Sequence, residues 1–278
     1  MAKLISNDAQ LRQYLPNVQI TVTGETELFD KLSSYLDLAE QWVKENFTAE
    51  SPFNTIAGYS DSNVTKTILS HIVVCEAFLN AIPALDLILT ANGFGVVSST
   101  NIAPASKQRV DRLIGEMETL RDSDILLLIK QLPGVSKWKT TDRFTWFSET
   151  LFPNIDVVEA AGFNANRWEK YLELRPQIMN IEQSLAEDFF SEELLKSLRE
   201  KQLSGTLAEY ERNIVTNLRS QIIDVIRGGT INIRKMIAIV NFIRINPDVF
   251  PEWHSSDTAK LFAPPIFRNK KDATGYFF

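Results

Sequence analysis

Residues 28–47 read LFDKLSSYLDLAEQWVKENF, and the spacing of their apolar side chains decides the fold class. Leu28, Phe29, Leu32, Tyr35, Leu36, Ala39, Trp42, Val43 and Phe47 recur at three- and four-residue steps. That recurrence puts them on one stripe of a helix of about five or six turns. Asp30, Lys31, Ser33, Glu40, Lys44 and Glu45 fill the other face. The segment therefore predicts an amphipathic helix whose stripe must be buried against partners.

The same pattern continues on both sides of the chain's midpoint. A second helix is expected after a Ser62 cap, running through Ile68, Ile72, Cys75 and Phe78 until Pro83 kinks or ends it. A third starts near Pro104 and carries Val110, Leu113, Ile114, Met117 and Leu120. Later, Asn166 can cap a helix through Trp168, Tyr171 and Leu172, with a kink at Pro176. Ser191 precedes EELLKSLREKQL, which sets two acids in a first turn, where the helix dipole favours them. Thr206 and Glu209 form a capping-box pattern ahead of Tyr210, Ile214, Leu218, Ile222 and Val225, and Gly228-Gly229 supplies the stop. Ile231 to Ile245 is then a strongly apolar helix with Arg234, Lys235 and Arg244 as its main charges. Strands are few: Val18 to Thr23 alternates, and Phe94 to Ser98 is a short candidate partner. The expected class is mainly α, built of duplicated helical bundle units with a few short β-strands.

Duplication is read from three matches that keep the same order in both halves. LIKQLPGVSKWKTTD, ending at Asp142, lies on FIRINPDVFPEWHSSD, ending at Asp257, with Trp138 over Trp253 and Pro133 over Pro247. LPNVQIT from Leu15 matches FPNIDVV from Phe152, and KENFTAE from Lys44 matches EDFFSEE from Glu187. These set an N-terminal unit at 1–141, a C-terminal unit at 142–263 and an extended tail at 264–278. Two similar units form a wedge with pseudo-equivalent faces, and such a wedge can repeat around an axis through heterologous contacts.

Composition narrows the class further. At 278 residues, with 44% hydrophobic and 23% charged, the chain is an ordinary globular one able to bury a core. A formal charge of -6 argues against coating nucleic acid, which needs clustered Lys and Arg. The N-terminal segment lacks the apolar core of a secretory signal. The apolar stretch from Ala81 to Val97 is broken by Pro83, Asp86, Asn92 and two glycines, so no membrane span is expected.

Catalytic and cofactor signatures are weak. The single Cys75 sits in the apolar run ILSHIVVCEAFL and reads as a structural thiol. His71 and His254 lack metal-ligand spacing to a second His or Cys, and His71 reads as a hydrogen-bonded core or interface residue. Asp122 and Asp124 flank Ser123 at a possible helix break, a pattern that fits a cap or a solvated turn. GFGVVSS at Gly93 has neither the Lys-Ser/Thr ending of a phosphate loop nor the third glycine of a dinucleotide turn. The reading is therefore a protein that is not an enzyme, with no catalytic residue, no metal and no cofactor.

Residues 83–113, PALDLILTANGFGVVSSTNIAPASKQRVDRL, carry a resemblance that the helices alone do not. The LDL…GFGVVS…APASK…RV run is similar to the central block of an uncharacterised family encoded among the structural genes of phages and prophages of gut bacteria. That family groups with head-to-tail connector or adaptor proteins. The resemblance implies a virion structural protein at the neck, assembled in the host cytoplasm. Its partners would be its own copies in a ring of about twelve, the portal protein, and the tail or next neck protein. DNA would pass through the lumen without sequence-specific binding. Tail completion, tail termination or a minor capsid role are the alternatives within the virion; a non-structural binding module or an enzyme is the alternative outside it.

Two segments are candidates for contact. In the central loop these are Phe94, Val96 and Val97. After Pro264-Pro265, the tail IFRNKKDATGYFF holds Arg268, Lys270 and Lys271, and then the aromatics Tyr276, Phe277 and Phe278. Burying such aromatics yields roughly 1.5 to 3 kcal/mol each, so the tail is expected to dock on an adjacent subunit or ring. Its cations would then meet an acidic or phosphate-bearing surface.

Overall fold

The computed structural model describes residues 3–15, 27–90, 93–96 and 106–263, and the chain is mainly helical. Helix α1 (Asp8–Arg12) starts at Asn7, whose side chain accepts the Gln10 N–H at 2.9 Å. Helix α2 (Leu28–Val43) turns Leu32, Leu36, Ala39 and Val43 into the core, as the stripe predicts. It then widens into a π turn, Lys44–Thr48, before α3 (Glu50–Ala57). Helix α4 (Val64–Asp86) is capped by Asn63, not Ser62: its Oδ1 accepts the Thr65 and Lys66 N–H groups at 2.9 and 3.2 Å. Pro83 does not end α4, which continues past it to Asp86.

A hairpin follows, with β1 (Leu87–Thr90) antiparallel to β2 (Gly93–Val96). It is the only β structure among the described residues, and the candidate strand at Val18 to Thr23 lies outside them. Helix α5 (Lys107–Gln131) runs unbroken through Asp122, Ser123 and Asp124, which corrects the expected break. The reason is local: the Ser123 hydroxyl bonds back to the Thr119 carbonyl at 2.7 Å, and Asp122 takes the Arg121 guanidinium instead of competing for helix N–H groups. Two 3₁₀ turns, Leu132–Gly134 and Trp138–Thr140, lead into α6 (Asp142–Phe147).

The second half comprises α7 (Asp156–Ala160), α8 (Arg167–Leu185), a π turn at Ala186–Phe190, α9 (Glu192–Ser204), α10 (Glu209–Ile226), α11 (Ile233–Arg244), α12 (Pro251–His254) and α13 (Asp257–Leu261). Helix α8 passes through Pro176 without ending. The expected capping box shifts by two residues, because Glu209 is already the first helical residue of α10. Glu211 reaches back instead and accepts the Ala208 N–H at 2.8 Å.

Helix α4 lies between α2 and α5, and Ile72, Val73, Val74, Cys75 and Ala77 on it have no exposed surface. A helix enclosed by neighbours must be apolar on most sides. That is why Val64–Leu85 reaches a mean hydropathy of 1.7 and is long and apolar enough to cross a membrane, although half of it is buried within the fold. The expectation that no segment meets that requirement is corrected here.

One local geometry occurs twice. The Trp138 indole N–H donates to the Phe47 carbonyl at 2.9 Å, and the Trp253 indole N–H donates to the Phe189 carbonyl at 2.8 Å. Each carbonyl belongs to a π turn, and each turn is left through a non-glycine residue of positive φ, Ala49 at 61° and Ser191 at 63°. Thr141 and Ser256 each bond back to their own tryptophan's carbonyl at 2.7 Å and cap α6 and α13. Phe147 lies 6.3 Å from Trp138, and Phe262 lies 6.1 Å from Trp253. Upstream, Glu40 accepts the Leu4 N–H at 2.9 Å and Glu182 accepts the Leu151 N–H at 2.8 Å. Burial raises both carboxyls, Glu182 up to about 7 against the opposing pull of Arg199.

This geometry corrects the register of two sequence matches. Phe47 corresponds to Phe189 and Ala49 to Ser191, so Lys44 falls on Ala186 and not on Glu187. The segment beginning at Leu4, not Leu15, takes the role of the one beginning at Leu151. Helix α6 packs on Phe47 and Trp138 as α13 packs on Phe189 and Trp253, which groups α6 with the first motif.

Ala49 adopts φ 61° with ψ 170°, a region closed to side chains other than glycine's single hydrogen. Ala49→Gly is expected to raise stability by about 1 kcal/mol, read as a higher urea midpoint at unchanged slope. An unchanged midpoint would show that no strain is held there.

Candidate interaction surface

The contact residues expected in the central loop fall on the hairpin. Phe94 pairs with Leu89 and Val96 with Leu87, across strands held between the end of α4 and the start of α5. Val97 lies outside the described residues, as do Arg268, Lys270, Lys271, Tyr276, Phe277 and Phe278.

The two halves meet through a face built on α5 and α6. Arg121 on α5 is buried and binds Glu76 of α4 at 2.9 Å, its neighbour Asp122 at 3.0 Å and Glu169 of α8 at 3.0 Å. Asp122 also accepts the Arg167 N–H at 2.8 Å, which fixes the start of α8 on α5. The Arg167 side chain reaches the Thr119 carbonyl at 3.4 Å and the Ser123 hydroxyl at 3.0 Å. Asn154 donates to the Leu126 carbonyl at 3.2 Å. On α6, the Trp146 ring has the Arg175 guanidinium 3.8 Å from its centroid and Tyr171 edge-on at 6.1 Å. Trp168 lies 4.6 Å from Phe47.

The corresponding end of the second half carries exposed apolar side chains. On α11, Met236, Val240 and Ile243 are buried, while Ile233 is 56% exposed and Ile237 and Phe242 are also exposed. Leu261 on α13 is 68% exposed and Ile245 is 71% exposed. Tyr210, Ile214, Ile239 and Phe242 line an apolar groove of about 470 Å³ between α10 and α11. Single exposed leucines are ordinary, but a run along one end of a fold marks an interaction face. Sequence reading missed this face; its signal was Ile233 and Ile237 standing among Arg234, Asn241 and Arg244, outside the stripe of Met236, Val240 and Ile243.

A larger, open groove of about 810 Å³ lies between α6, α8, α9 and α13. Four of its six carboxylates are engaged, Glu192 with Arg199, Glu149 with Arg175, Asp257 with Lys260 and Glu187 with the Gln183 amide, while Glu193 and Glu200 make no ion pair among the described residues. Among the described residues no cluster of His, Cys, Asp and Glu could hold a metal ion.

The histidines take structural positions. His254 faces the Ile243 carbonyl at 3.1 Å and the edge of Trp253. His71 Nδ1 lies 2.6 Å from Asp124 Oδ2, with Tyr14 stacked at 5.9 Å and Cys75 one turn along α4. Cys75 has no exposed surface, so this Cys, His, Asp grouping offers no nucleophile to a substrate. Hydrogen bonds that the protonated His71 ring makes with Asp124, first, and with Cys75 raise it to about 10. A folded-state pKa above the unfolded value near 6.5 gives stability that is complete below about pH 6.5 and lost as pH rises through 10. His71→Gln is therefore expected to flatten that decline in unfolding free energy between pH 6.5 and 10. Parallel curves for the two proteins would remove His71 from the linkage.

No curated protein and no solved structure matches the chain. Residues 12–148, a span that contains the hairpin and ends one residue beyond α6, match the model of a family of unknown function (DUF6712).

Proposed function

We propose that this chain is a structural protein of a phage or prophage particle, acting as a connector between the portal and the tail. The observation that carries an assembly role is the apolar end face formed by α11 and α13, which nothing in the chain's described residues covers. Placement at the neck rests on the resemblance of the LDL…GFGVVS…APASK block. In this role the protein has no turnover. It repeats around an axis, binds the portal on one side and the next neck component on the other, and lets DNA pass through the centre.

The hairpin suits a contact element, because it stands in chain order between α4 and α5, where the second half has no counterpart. The tail beyond Ala263 is the second proposed contact, docking in trans on a neighbour.

Cryo-electron microscopy of particles from a host carrying this gene tests the placement. A ring of density beneath the portal that accommodates this fold is the expected result. Density within the tail would make it a tail-completion protein or terminator, density in the shell a minor capsid component, and intact particles lacking the chain a non-structural binding module or an enzyme.

A further inference from the structure

The contact between the two halves serves as a template for a contact between two copies. We propose that the α11–α13 end of one molecule binds the α1–α2 end of a second copy, in the way α5 and α6 bind α7 and α8 within one molecule. This deepens the assembly reading above and rests on it, though not on placement at a neck.

The twice-occurring π turn and tryptophan set the correspondence. With Trp138 on Trp253, Trp146 on α6 falls on Leu261 on α13; one extra residue in the second half separates Pro247 from Trp253, and with Pro133 on Pro247, Thr119 and Ser123 on α5 fall on Ile233 and Ile237 on α11. In the first half all three positions touch the second half: Thr119 and Ser123 through Arg167, Trp146 through Tyr171 and Arg175. In the second half all three are exposed and apolar. The positions that the first half uses to hold the next unit are the ones the second half leaves bare. Terminal units of a stacked array carry polar outer faces when the array stops there. A bare apolar end instead marks an array that continues into another chain, and a head-to-tail contact of this kind repeats into a ring or a filament.

Charge supports the same occupant. Arg121 falls on Lys235, and its partner Glu169 falls on Glu27 at the start of α2. Neither Lys235 nor Glu27 makes an ion pair among the described residues. Joining copies by the internal geometry brings Lys235 of one against Glu27 of the next, repeating the bond between Arg121 and Glu169.

Sedimentation of the full chain over a range of concentrations tests this. The unmodified protein is expected to self-associate, and Leu261→Glu to leave single chains. Glu27→Lys and Lys235→Glu should each weaken association at least about tenfold, and the two together should restore it. Single-chain mass for the unmodified protein up to about millimolar concentration would overturn the proposal, as would a double variant no stronger than either single one. A lowered unfolding midpoint for Leu261→Glu at concentrations where the unmodified protein is itself a single chain would assign the face to the chain's own C-terminal segment, and also overturns it. Association restored by the charge swap, with no ring in the neck of particles, would keep this inference and remove the connector reading. A neck ring whose subunits touch through other faces would do the reverse.

Discussion

Replacing Arg121 with alanine will destabilise the fold by about 3–5 kcal/mol, the cost of leaving buried charge uncompensated. The guanidinium is 5% exposed and joins three helices through Glu76 on α4, Asp122 on α5 and Glu169 on α8. Without it, the carboxylates of Glu76 and Asp122 remain in an environment that cannot solvate them. Asp122 then keeps only the Arg167 N–H, and α8 loses the Arg121–Glu169 bond that ties it to α5. Lysine will not substitute, because one ammonium cannot span the directions that a planar fork reaches. Glu169→Gln is the informative control. Its carboxylate is half exposed, so its loss should cost less than about 1 kcal/mol. Urea unfolding of the three variants reads these differences directly. A loss below about 1 kcal/mol for Arg121→Ala would mean that the halves are held together by apolar packing alone.

The second large effect is expected at the tryptophans. Trp138→Ala should cost about 3–5 kcal/mol, because the side chain is fully buried and Phe147, Phe144 and the Phe47 carbonyl all pack around it. Trp138→Phe retains most of the volume and removes the indole N–H, leaving the Phe47 carbonyl without its partner at a cost of about 1–3 kcal/mol. Trp253→Phe deletes the matching bond to the Phe189 carbonyl and should cost the same within about 0.5 kcal/mol. A clear inequality in their unfolding midpoints would show that the two motifs share geometry without sharing energetics.

The helical period at residues 28–47 was legible because one side of α2 faces the core and the other faces water. The same rule made α8 to α11 readable in outline. The repeat was legible in place but not in register. Phe189-Phe190 and Glu192-Glu193 are doubled residues, so a slip of one position matches as well as the true alignment; the indole bond to Phe189 and the positive φ of Ser191 separate them. The π turns were invisible for a related reason: an extra residue in one turn does not change which amino acids occupy it. Arg121, Glu76, Asp122 and Glu169 come from distant parts of the chain, and nothing in local spacing brings them together. The apolar end face was half visible. Residues 231–245 place Ile233 and Ile237 among Arg234, Asn241 and Arg244, but whether those isoleucines are covered or left open depends on what packs against the helix.

The link between α4 and α5 occupies residues 87–106, whereas the corresponding link between α10 and α11 is made within residues 227–232, with Gly228 at φ 89°. The fold therefore shows how to turn this corner without a hairpin. The strands β1 and β2 are thus an addition at a corner that the second half turns without them.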